Sequence, residues 1–110
     1  MQESIWTKTA LLPSFPPLTG DAKTDVLIIG GGIAGLLCAF QLKQAGVECL
    51  LIEADRIGRG VTAGTTAKIT SQHGLCYEKL VRQYGRGAAR DYWRIHEDAL
   101  EAYRQLCRMI

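Results

Sequence analysis

Three glycines and one carboxylate carry the clearest chemistry in this chain. Gly30, Gly32 and Gly35 fall on the spacing G-x-G-x-x-G, and Glu53 follows the glycines by about 20 residues. Glycines at this spacing leave a phosphate room to approach the backbone. A carboxylate at that distance suits the two hydroxyls of a ribose. Together they describe a site for the adenosine diphosphate part of a dinucleotide. The Glu53 charge would repel a 2′-phosphate, which disfavours NADP. The bland alternative is a strand–helix hairpin whose glycines serve packing alone, and it leaves Glu53 without a role.

A second group of polar residues follows. Between Ala54 and Gly74 the chain is rich in glycine, threonine and cations. Thr62, Thr65, Thr66 and Thr70 supply hydroxyls, and Arg56, Arg59 and Lys68 supply positive charge. Such a mixture suits a cradle for a pyrophosphate or the edge of a flavin. The competing expectation is a solvated mobile loop. The remaining chemically capable residues point nowhere definite. His73 and Cys76 are spaced H-x-x-C, and two ligands do not make a metal site, so no metal is expected. The sequence offers His73 no partner as a base. His96 falls within an expected helix and reads as structural. No catalytic residue can be named.

These residues need elements to position them. Val26 to Ile29 is a short, β-branched apolar run, as expected of a strand buried on both faces of a parallel sheet. Gly30 allows the turn out of that strand, Gly32 the approach of the pyrophosphate, and Gly35 close packing of the next helix. That helix should run from about Ile33 to Ala45 and stop at Gly46. Its N-terminus presents unpaired N–H groups to an anion. Ala39 and Gly46 are small residues placed where the helix must lie near the sheet. A second strand follows in Val47–Ile52 and delivers Glu53 at its tip. The strands should be parallel, with a right-handed crossover.

Outside this core, residues 1–24 read as an extended arm, since Pro13, Pro16, Pro17 and Thr19-Gly20 oppose regular structure. Its apolar residues Trp6, Leu11, Leu12, Phe15 and Leu18 suggest that parts of it lie on a larger body. A short helix is expected over 75–84, with Tyr77, Leu80, Val81 and Tyr84 at helical spacing and Gly85 as its stop. A longer helix should fill 87–110. Its apolar stripe would be Ala88, Tyr92, Ile95, Ala99, Ala102, Leu106 and Met109. Its charged stripe would be Arg90, Arg94, Glu97, Glu101, Arg104 and Arg108, with Arg94 pairing to Asp98. The fold class is therefore α/β: a partial Rossmann-like βαβ unit followed by two helices. Its regions are the arm 1–24, the core and loop 25–75, and the helical segment 76–110.

Composition limits the alternatives. The 110 residues carry 22% charged side chains and a formal net charge of +2, which does not call for nucleic acid or an anionic membrane. The charged stripe mixes both signs, against nucleic-acid binding. The uncharged run Val26–Phe40 is too short to span a bilayer and contains several glycines. The polar, proline-containing N-terminus does not resemble a secretory signal. Cys38, Cys49, Cys76 and Cys107 form no C-x-x-C pair and read as reduced thiols of a cytoplasmic protein. A βαβ unit with two helices makes a thin core of marginal stability, and the uncapped C-terminal helix suggests a chain that stops early.

Taken together, Asp25 to Glu53 with its glycines, Ala39 and Gly46 resembles the N-terminal FAD fingerprint of flavoprotein oxidoreductases. The stretch Arg56-Ile-Gly-Arg-Gly-Val-Thr-Ala-Gly-Thr-Thr-Ala-Lys-Ile-Thr70 is similar to the D-amino-acid-oxidase-like superfamily. Thr65-Thr-Ala-Lys-Ile-Thr-Ser-Gln-His-Gly-Leu75 resembles the branch whose members carry a C-terminal Rieske [2Fe–2S] domain, and that domain's ligand set is absent here. The resemblance implies FAD as cofactor. It implies Gly30, Gly31, Gly32, Ile33, Ala34 and Gly35 at the pyrophosphate, and Glu53 with Ala54 at the ribose. Arg56 would sit at the adenine or ribose edge. Thr62, Thr65, Thr66, Ala67 and Lys68 would lie near the pyrophosphate and flavin. It further implies hydride transfer from an amine or related C–H substrate, carried out by a longer chain. Two other readings stand beside it. One is a non-catalytic fragment that self-associates through its unfinished sheet. The other is an NAD-binding Rossmann protein.

Overall fold

A computed structural model describes residues 4–109, without the side chain of Trp6. The chain divides into two compact units, one ending at Thr66 and the other beginning at Ala67.

The first unit is built on two parallel strands. β1 (Val26–Ile29) pairs with β2 (Cys49–Ile52) in the register Val26↔Cys49 to Ile29↔Ile52. Parallel strands need a crossover, and here it is the helix Ile33–Gln44, which lies between the two strands in the chain. The helix ends as the sequence predicts. Gly46 takes φ +73°, its N–H bonds the carbonyl of Lys43 at 3.1 Å, and the Val47 N–H bonds that of Leu42 at 2.9 Å. These two bonds form a Schellman cap, in which the residue after the helix must be left-handed. A Cβ on Gly46 would meet nothing within 4 Å, so this glycine serves the turn and not close packing against the sheet.

Only one face of the sheet is covered. Ile28 is 9% exposed and lies beneath Gly35, whereas Leu27 and Ile29 on the other face are 51% and 78% exposed. The continuous apolar run was expected to be buried on both faces. Alternate residues point to opposite sides, and among the described residues of the first unit no layer covers the second side.

The arm departs from the extended form expected of it. Ile5–Thr9 is helical and is called α1, which makes the crossover helix α2. The Ser4 hydroxyl accepts the Thr7 N–H at 3.4 Å, the bond of an N-cap residue. The prolines act only beyond it. Leu12 rests against Gly58, where an added Cβ would be 3.1 Å from its Cδ1, while Leu11, Phe15 and Leu18 are exposed. The expectation for Trp6 lies outside the described residues. In the loop after β2, the four residues Val61–Gly64 form a further helical turn, α3.

The second unit is a loop followed by α4 (Cys76–Met109), which breaks at Gly85 with φ +83° and ψ 170°. Tyr77 and Tyr92 stand 15 positions apart, about 22 Å along an unbroken helix. Their ring centres are only 5.9 Å apart, so the chain folds back at Gly85. The inner face of the longer limb is rotated from the predicted stripe. Ala89 is buried and Tyr92, His96, Leu100, Tyr103 and Leu106 are half-buried, whereas Ile95 and Met109 are 64% and 63% exposed. Arg94 reaches back to Asp91 at 3.1 Å instead of forward to Asp98. That pair, Arg82–Glu78 and Arg104–Glu101 are all exposed, and each contributes about 0.3–0.5 kcal/mol.

Candidate dinucleotide site

The glycine loop is held by the end of the second strand. The Gly30 N–H bonds the carbonyl of Ile52 at 2.8 Å, extending the β1–β2 ladder by one step. Gly30 then turns with φ +109°, a region that L side chains rarely enter. Gly31 is buried beneath the loop that follows β2. A Cβ there would lie 2.8 Å from Ile57 Cγ2 and 3.2 Å from Glu53 Cβ. The Gly31 carbonyl accepts the Gly58 N–H at 2.8 Å. Gly35 has the least room: a Cβ would stand 2.0 Å from the Gly30 oxygen and 3.4 Å from Ile28 Cγ2. The third glycine of the motif therefore lets α2 sit directly on the turn.

Glu53 closes this loop. One carboxylate oxygen accepts the Gly31 N–H at 2.6 Å and the other accepts the Asp55 N–H at 3.1 Å. The Gly31 bond is the largest cause holding this carboxyl below its ordinary pKa; the Asp55 bond adds to it, a small desolvation effect opposes it, and the Ala54 N–H also lowers it. Glu53 is exposed and keeps acceptor capacity beyond these bonds. An ionised carboxylate with free lone pairs at the tip of β2 can take two hydroxyl donors.

The start of α2 offers donors. Gly32 is the N-cap residue, in extended conformation, and gives no side-chain cap. The Ile33 N–H is taken by the Thr62 hydroxyl at 3.0 Å. Thr62 comes from α3, so this helical turn reaches the glycine loop. Among the described residues no other side chain is bonded to the first turn, and the N–H groups of Gly32, Ala34 and Gly35 have no side-chain partner. Buried or half-buried glycine backbone, a helix start and an ionised carboxylate thus converge within the first unit. The set fits a phosphate-linked nucleotide.

The other predicted residues fall variously. Ala54 and Arg56 are exposed just beyond Glu53, and Thr65 and Thr66 are exposed at the end of the first unit. Ala67 and Lys68 belong to the second unit, where Ala67 has φ +53°, a left-handed conformation unusual for a residue with a Cβ. The Thr70 hydroxyl accepts the Gln72 N–H at 3.1 Å, a local turn. The four cysteines are free, with Cys38 and Cys107 exposed. What the sequence did not show is a grouping of His73, Tyr77, Tyr92 and His96 in the second unit. No sequence spacing links His73, in the loop before α4, to the tyrosines and His96 of that helix.

Comparison with known proteins gives a consistent picture. The profile of a family described as FAD dependent oxidoreductase matches residues 25–110. A Bacillus subtilis protein described as the Rieske 2Fe-2S iron-sulfur protein YhfW is 42% identical over 99 residues, covering 90% of this chain and 19% of that protein. The γ-glutamylputrescine oxidoreductase of Escherichia coli is 30% identical over 76 residues, 69% of this chain and 18% of that one. A probable oxidoreductase, OrdL, of Haemophilus influenzae is 26% identical over 79% of this chain and 20% of its own length. The chain thus spans about a fifth of the curated relatives it matches. No solved structure matches. Among the described residues, no helix is long and apolar enough to cross a membrane.

Proposed function

Since the chain belongs to the FAD-dependent oxidoreductase family, we propose that its first unit binds the adenosine diphosphate half of FAD. The observation that carries this is Glu53, which clasps the Gly31 N–H while still offering lone pairs beside the open start of α2. In this reading Gly30, Gly31, Gly32, Ile33, Ala34 and Gly35 surround the pyrophosphate. Glu53 accepts the ribose hydroxyls, with Ala54 and Arg56 at the adenosine edge. Thr62 holds the loop to α2 and shares its hydroxyl with the phosphate. Thr65, Thr66, Ala67 and Lys68 lie on the flavin side.

Bound FAD would accept a hydride from an amine or related C–H substrate. This chain's own residues bind and orient it and name no catalytic acid or base. The substrate-binding part and the full reaction belong to a protein of the relatives' length, and the 110-residue chain alone would be inactive. FAD is favoured over NAD by the threonine-rich loop and the family match. A cytoplasmic location accords with the free cysteines.

The test is competition. Quenching of FAD fluorescence by the purified chain should be reversed by ADP-ribose and left unchanged by FMN, which lacks the adenosine half. Displacement by FMN and not by ADP-ribose would place the grip on the flavin and overturn the assignment.

A further inference from the structure

The N-terminal arm reaches the dinucleotide site through one turn. Residues 56–59 form it: the Arg59 N–H bonds the Arg56 carbonyl at 3.4 Å, and Gly58 stands at the third position with φ +70°. Two contacts join this turn to the glycine loop. The Gly58 N–H donates to the Gly31 carbonyl at 2.8 Å, and Ile57 Cγ2 would stand 2.8 Å from a Cβ on Gly31. The N–H of the same Gly31 donates to the Glu53 carboxylate at 2.6 Å. Both polar groups of this buried residue are therefore fixed, one by the turn and one by Glu53. On the Cα side of Gly58 lies Leu12 of the arm. A Cβ built on Gly58 would be 3.1 Å from Leu12 Cδ1 and 3.7 Å from Cδ2. Leu12 is 46% exposed, whereas its neighbour Leu11 is fully exposed, so the arm lays Leu12 and not Leu11 on the unit.

We infer that Leu12 is a positioning residue for the adenosine grip: it holds the 56–59 turn closed on Gly31 and thereby fixes the Glu53 carboxylate that accepts the ribose hydroxyls. This role rests on the assignment of the first unit to the adenosine half of FAD. Leu12 acts through Gly58 and Gly31, not by contact with the cofactor. A turn that is closed before the ligand arrives spares binding the entropy of closing it. Where the closed form is only partly populated, the apparent affinity falls in proportion. Losing about half the burial of a leucine side chain shifts such an equilibrium by about fivefold. The arm is thus part of the site, although the fingerprint itself begins only at Asp25.

Amide hydrogen exchange followed by NMR reads the turn without ligand, and FAD titration reads the site, both on the 110-residue chain. Leu12→Ala should speed exchange of the Gly58 N–H by about fivefold and weaken FAD binding by up to the same factor. Exchange in α2, at Leu37, should stay as in the parent, which separates local opening of the turn from a general loss of stability. Leu11→Ala should change none of these, and Leu12→Met, which keeps volume and apolarity, should restore parent behaviour. Circular dichroism identifies a variant that has lost its fold; if Leu12→Ala does, Leu12→Val replaces it, with a smaller effect of the same sign. Unchanged Gly58 exchange in a folded Leu12→Ala chain would overturn the contact. Faster exchange throughout the chain, or faster Gly58 exchange with FAD affinity unchanged, would overturn the positioning role. A parent chain that binds no FAD while its Gly58 exchange still responds to Leu12→Ala would overturn the FAD assignment, and with it the role of Leu12, but not the contact.

Discussion

Substitution of Gly35 by alanine separates two physical effects of opposite sign. Within a helix the exchange normally stabilises by about 1 kcal/mol, because alanine loses less backbone freedom on folding. Here the added Cβ would stand 2.0 Å from the Gly30 carbonyl oxygen. Carbon and oxygen repel strongly below about 3 Å, so α2 would have to withdraw by about 1 Å. The obstacle is backbone, fixed in the β1–β2 ladder through the Gly30–Ile52 bond, and cannot rotate aside. Withdrawal would also open the contact with Ile28 Cγ2, which a Cβ at Gly35 would meet at 3.4 Å. Overpacking of this kind costs about 3 kcal/mol at the upper end of its usual range. Set against the propensity gain, the net loss is about 2 kcal/mol, or a fall in Tm of about 10 °C for a domain of this size. Gly87→Ala is the internal control, since that glycine is helical and an added Cβ meets nothing within 4 Å. It should stabilise by up to about 1 kcal/mol. Urea titration followed by circular dichroism measures both. A Gly35→Ala chain as stable as its parent, or more so, would refute the close packing of α2 on the turn.

Other outcomes follow from the same structure. Gly46→Ala should destabilise by about 1 kcal/mol in the same urea assay, because φ +73° at the Schellman cap disfavours a Cβ. Thr62→Val should lower stability by about 0.5–1 kcal/mol by leaving the Ile33 N–H without its hydroxyl partner, as loss of a helix cap does. For Glu53, the folded state holds the carboxyl below its ordinary pKa, chiefly through the Gly31 N–H. Its contribution is therefore present above the ordinary carboxylate pKa and is lost as pH falls through the lowered folded value. Glu53→Gln should accordingly be less stable than the parent at neutral pH, and the gap should narrow on acidification. A gap that widens in acid would reverse the assigned sign.

The glycine loop was legible in the sequence because it is local. Turn, helix start and helix stop are each set by a few adjacent residues, and Gly30, Gly35 and Gly46 act where the spacing puts them. Glu53 was also legible, as the residue ending the second apolar run, although its bond to Gly31 depends on the paired strands. The face of α4 was not, because its stripe was counted from apolarity. Ile95 and Met109 are apolar yet exposed, while His96 turns inward through contacts with the rings of His73 and Tyr92, which hydropathy does not weigh. The α1 turn was hidden by prolines that act only after it, although Ser4 is an ordinary cap. The meeting of His73 with His96 depends on the chain folding back at Gly85, and no pattern in either segment announces it.

Glu53 and the glycine loop form the adenosine grip in this reading, and the most direct test is FAD titration of the parent chain and of Glu53→Ala, with FMN as the control. The prediction is saturable quenching of flavin fluorescence by the parent, little competition from FMN, and clearly weaker binding by Glu53→Ala at unchanged secondary structure. A folded parent chain that leaves FAD fluorescence unchanged, or a Glu53→Ala chain that binds as tightly as its parent, would contradict it.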